Sequence, residues 1–120
     1  MAQQQPDLQC ERKGDVLVVG FQNVSLLDDA SYKLVMDRIT SEGEAEPVRG
    51  LVLNMEGVKL VSTAIWGKLF VLSRKLQKDG GALAVCALGP LLRDAVRVLR
   101  LDRLLSVADT VEDALRDVRR

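Results

Sequence analysis

Apolar residues recur along this chain in two periods, and the change from one to the other marks out its elements. Leu8 to Arg12 alternates apolar and polar, and Val16 to Phe21 is a β-rich run. With Lys13-Gly14-Asp15 between them as a turn, the pair predicts an opening hairpin. Asn23 to Asp29 is a loop ending in Asp28-Asp29, and either aspartate can cap the helix that follows. There Ala30, Leu34, Val35 and Ile39 recur at helical spacing, and Gly43 and Pro47 end the helix. Leu51 to Leu53 is a continuous apolar run that reads as a buried strand. A second helix is predicted from about Ser62 to Lys78, with Ile65, Leu69, Leu72 and Leu76 as its core stripe. Gly80-Gly81 stops it, with Lys75 and Lys78 in the last turns.

Leu83 to Leu88 predicts another buried strand. Pro90 opens a third helix where a missing N–H does no harm, with Leu92, Ala95, Val96 and Leu99 facing inward. A short strand is expected at about Leu104 to Val107. Thr110 and Asp113 then resemble a capping box, and Val111, Ala114, Leu115 and Val118 supply the last helix's apolar face. The order β-β-α-β-α-β-α-β-α implies an α/β fold with a mixed, mostly parallel sheet and about four helices. At 120 residues the chain makes one domain, expected over residues 8–120, after a short disordered polar tail at residues 1–7.

Charge narrows the function classes. The 17 basic and 17 acidic side chains cancel, which argues against a nucleic-acid binder, since that needs a basic face. No apolar run approaches the length of a membrane span, and no signal peptide stands at the start. Cys10 and Cys86 have no metal-site spacing and read as two core thiols, which points to the cytoplasm. The chain has no histidine, so the commonest general base and metal ligand are missing. With no Gly-rich phosphate loop or nucleophile elbow either, the expectation is a protein without catalysis, cofactor or metal.

Ser62-Thr63 is the most informative pair. A hydroxyl at a helix start can cap free backbone N–H groups, and it can accept a phosphate beside the positive end of the helix dipole. Trp66 and Phe70 lie off the core stripe of the same helix. They read either as a partly exposed aromatic docking pair or as packing against a neighbouring element.

Five pieces in order resemble the STAS domain, the fold of anti-sigma factor antagonists, from about Leu8 to Val118. Leu51-Val52-Leu53-Asn54-Met55, followed seven residues later by Ser62-Thr63-Ala64, is similar to the family's strand, loop and Asp-Ser-Ser-Gly helix start. Leu27-Asp28-Asp29-Ala30 resembles its entry to the first helix, and Gly80-Gly81-Ala82-Leu83-Ala84-Val85-Cys86 its Gly-Gly and strand. Leu99-Arg100-Leu101-Asp102-Arg103-Leu104-Leu105 resembles its Leu-Gly/Leu-x-x-Leu/Phe segment. Val61 stands where the family has an acid, and Ala64 where it has Gly.

The resemblance implies a binding switch rather than an enzyme. The partner would be an anti-sigma factor that is also a serine protein kinase, and Ser62 (alternatively Thr63) the phosphorylated hydroxyl. Asp28, Asp29, Ser62, Thr63, Trp66 and Phe70 would be the partner-binding residues. No direct nucleic-acid contact and no membrane insertion are implied, and self-association is compatible with the sequence. The other reading is a scaffold or accessory subunit of a signalling or transport complex that is never phosphorylated.

Overall fold

The computed structural model describes residues 5–119. Strand β1 (Asp7–Lys13) turns through Gly14, at φ +64°, into β2 (Val16–Gln22), a two-residue connection that needs a residue tolerant of positive φ. Short β3 (Leu26–Leu27) leads into α1 (Asp29–Gly43), then β4 (Gly50–Asn54), β5 (Leu60–Val61) and α2 (Thr63–Lys78). After these come β6 (Ala82–Cys86), α3 (Pro90–Leu99), a single 3-10 turn at Leu101–Arg103, β7 (Ser106–Ala108) and α4 (Val111–Val118).

Five strands form one sheet in the order β1-β2-β4-β6-β7, antiparallel at β1–β2 and parallel thereafter. Each parallel strand is added on the same side of the one before. Right-handed crossovers then place α1, α2 and α3 on one face. The alternation of side chains along the strands agrees. Leu17, Val19, Leu51, Leu53, Leu83 and Val85 pack with Val35, Ile65, Leu69, Leu92 and Val96 on that face. Val16, Val18, Val52, Ala84 and Cys86 pack with Ala114, Leu115 and Val118 of α4 on the other. Each fully buried Leu or Val contributes about 1.5–3 kcal/mol relative to exposure.

Helix α2 stops as its glycines require. Gly80, at φ +82°, donates its N–H to Gln77 at 3.1 Å, and Gly81 donates to Leu76 at 2.8 Å. A Cβ on Gly81 would lie 1.6 Å from the Arg49 carbonyl oxygen, so the α2–β6 turn runs against backbone that no side chain can share.

Several expectations need correction. Asp7 is already in β1, so the irregular part of the described tail is Gln5 and Pro6; residues 1–4 of the expected tail, and residue 120 of the domain, lie outside the described residues. The last strand is Ser106–Ala108, because Leu101–Arg103 winds into a turn that delays it. Strand β6 ends at Cys86, where Ala87 takes φ +58° and leaves the sheet. Leu99 is 48% exposed, since Arg100 at φ +55° breaks α3 before another inward turn completes. Thr110 caps α4 by accepting from the Asp113 N–H at 3.1 Å, while the Asp113 carboxylate pairs with Arg116.

Candidate functional site at two paired helix starts

Two strands of only two residues build the site. Leu26 pairs with Leu60 and Leu27 with Val61, in parallel. The Ser25 carbonyl accepts from Lys59 N–H at 2.8 Å and Leu60 N–H at 3.0 Å, and Leu27 accepts from Ser62 N–H at 3.4 Å. The residues that follow, Asp28 and Ser62, are the N-caps of α1 and α2. The ladder therefore sets two helix N-termini side by side, with a carboxylate opening one and a hydroxyl the other.

Ser62 is extended, and its Oγ accepts from the Ile65 N–H at 3.2 Å. The helix is already wound behind it, since Trp66 N–H donates to the Ser62 carbonyl at 3.1 Å. Ser62 is half-buried, and Thr63 beside it is exposed. Asp28 accepts from Ser31 N–H at 3.1 Å and Ser31 Oγ at 2.9 Å, while its own N–H donates to Ser31 Oγ at 2.9 Å. These bonds from Ser31 hold the Asp28 carboxyl below the usual carboxylate range. Asp29 reaches across to α2 and pairs with Lys68 Nζ at 2.9 Å, and that ammonium lies 5.6 Å from the Tyr32 ring centre.

Asp28, Asp29, Ser62 and Thr63 thus share one edge of the molecule. The aromatic pair divides. Trp66 is 3% exposed and packs into the core with Ile65 and Leu69, so it is not a free docking anchor. The buried arc of α2 is wider than the Leu stripe alone suggests. Phe70 is partly exposed and carries the Arg74 guanidinium 5.8 Å from its ring centre.

Residues that the sequence did not single out complete the site. Leu26 and Leu60, register partners in the short ladder, are 46% and 55% exposed. A shallow cleft of about 400 Å³ beside Leu26 is lined also by Ser25, Asp28, Ser31 and Leu34. Lys68 carried no local signal, because its partner stands 39 residues earlier. The site presents exposed apolar surface and fixed charge around a hydroxyl at the positive end of a helix. That suits a protein contact and a phosphoryl group better than turnover of a small molecule. Among the described residues no three His, Cys, Asp or Glu side chains gather as a metal site, and no helix is long and apolar enough to cross a membrane.

Comparison with known proteins places the fold. The family model described as the STAS domain matches residues 7–114. No curated protein matches the sequence significantly. Among solved structures, an anti-sigma factor antagonist from Mycobacterium paratuberculosis is similar at TM-score 0.74 and 23% identity, covering 97% of this chain and 96% of that one. Unphosphorylated SpoIIAA, an anti-sigma factor antagonist, is similar at TM-score 0.71 and 19% identity, covering 94% and 96%. The phosphorylated form of SpoIIAA, a Bacillus cell fate determinant, is similar at TM-score 0.64 and 18% identity, covering 92% and 98%. At these identities the likeness to the solved structures is one of fold.

Proposed function

The chain belongs to the STAS domain family, and from that premise we propose that it is an anti-sigma factor antagonist whose binding is switched by phosphorylation at Ser62. The partner is an anti-sigma factor that is also a serine kinase, met in the cytoplasm, where the free thiols of Cys10 and Cys86 are at home. The protein itself catalyses nothing.

The observation that carries this reading is the pairing of the two helix starts. Ser62 is held where a phosphoryl group would face the free N–H groups of α2, which favour negative charge. Asp28 and Asp29 are fixed beside it by their own bonds. Attack by Ser62 Oγ on the terminal phosphorus of the partner's nucleoside triphosphate would form the phosphoester and release the diphosphate, with the hydroxyl proton passing to a base of the kinase. The group adds about −1.5 to −2 charges next to two carboxylates. An interface closed over Leu26, Leu60 and Phe70 would then have to desolvate that charge, and the complex would weaken. Thr63 borders the contact, and Trp66 supports it from beneath by packing the first turn of α2 onto the sheet.

Two observations favour the scaffold reading. Val61, at the position of the family's acid, is half-buried against the core, and Ser62 Oγ already has a capping bond. The two readings separate in one experiment. The protein is incubated with a cognate anti-sigma kinase and ATP, and the phosphate is mapped by mass spectrometry in the wild type and in Ser62→Ala. Phosphate on Ser62, lost in the variant, is expected. Stable binding without phosphate on Ser62 or Thr63 would leave the scaffold.

A further inference from the structure

Strand β1 is the outer edge of the five-stranded sheet, and among the described residues no strand pairs with its far side. It runs for seven residues, whereas the opposite edge, β7, has three. A free edge of that length is a template for another strand unless something blocks it. Its backbone phase is fixed by the hairpin. The two-residue turn makes Lys13–Val16 a hydrogen-bonded pair, so Glu11, Gln9 and Asp7 also bond inward to β2. Leu8, Cys10 and Arg12 therefore direct N–H and C=O away from the sheet. The Leu8 N–H agrees, since it donates to its neighbour's Asp7 Oδ1 at 2.8 Å rather than to β2.

We propose that this edge is a self-association surface, on which a second copy of the chain adds its own β1 antiparallel about a two-fold axis at Cys10. The register is dictated by phase and charge together. With Cys10 opposite the partner's Cys10, every outward group of Leu8 and Arg12 meets its complement, and Asp7 lies opposite the partner's Lys13, twice by symmetry. Glu11 lies opposite the partner's Gln9, and no like charges face each other directly. Shifting the pairing by two residues moves Asp7 opposite the partner's Glu11 and loses both attractive pairs. Arg38 and Glu42 of α1 and Asp7 of β1 all act on the Cys10 thiol, so each copy brings charges of both signs close to the axis. The interface is narrow, which places it among the weak and transient contacts.

Sedimentation equilibrium in reductant, over about 10 µM to 1 mM protein, tests this. The wild type is expected to show a monomer–dimer equilibrium in that range. Asp7→Lys sets lysine opposite the partner's Lys13 and should weaken dimerisation about tenfold. Asp7→Lys with Lys13→Asp restores opposite charges and should recover it. Cys10→Pro removes an outward N–H without touching the β2 ladder and should abolish the dimer, with folding checked by circular dichroism. A wild type monomeric throughout would overturn the proposal. So would a dimer that Asp7→Lys alone leaves unchanged, since that dimer uses another surface.

Discussion

The two bonds that Ser31 gives the Asp28 carboxylate exist only while α1 is wound, and this couples one ionisation to folding. Its folded pKa lies below the unfolded value. The stability it contributes is therefore complete above the unfolded pKa, near 4, and is lost as pH falls through the lower folded value. In Asp28→Asn that acid-dependent loss should be absent. Chemical denaturation of both proteins between pH 2.5 and 6 is expected to show a shallower acid limb for the variant, and parallel curves would contradict it. Such caps were legible, because Asp28, Ser62 and Thr110 each stand just before an apolar-periodic run. Trp66 was not. Its position off the Leu stripe says nothing about how far the sheet wraps α2, and the core closes over it.

Among the elements, α1 lacks a basic residue in its last turn and has no glycine cap. Arg12 of β1 supplies what the helix does not. Its guanidinium donates to the carbonyls of Gly14 at 2.8 Å, Glu42 at 3.0 Å, Glu46 at 3.0 Å and Pro47 at 2.9 Å. This binds the hairpin, the end of α1 and the connection to β4 with one planar fork, placed also at the negative end of the helix. Arg12→Met should cost about 2 kcal/mol in urea denaturation, and Arg12→Lys should recover less than half of that, having no fork to reach several carbonyls. Full recovery by lysine would mean that charge alone matters. The hairpin, the buried strands and all four helices were readable from period and punctuation. The β3–β5 ladder was not, because strands of two residues leave no periodicity and exist only through a pairing across 34 positions.

For the molecule as a whole, the fold separates stability from signalling. The sheet is buried beneath α1 to α3 on one face and α4 on the other, while the paired helix starts lie at its edge, where a charge can change without disturbing either core. With each parallel strand added on the same side of the one before, right-handed crossovers put α1 to α3 on one face, which the α/β order alone left open. That order could not show that Asp28 and Ser62 would be neighbours, nor that Leu26 and Leu60 would stand exposed beside them. The most direct measurement is calorimetric affinity of Ser62→Asp and Ser62→Ala for the anti-sigma partner, with the melting temperature of each variant alone. An unpaired charge in a desolvated interface costs about 2–5 kcal/mol, or roughly 30-fold or more in affinity. Alanine loses a cap of about 1 kcal/mol in stability, whereas aspartate can still cap α2. The expected result is an aspartate variant that melts like the wild type and binds at least about 30-fold more weakly, beside an alanine variant that melts lower and binds normally. Equal affinity of both variants and the wild type would contradict a switch at Ser62.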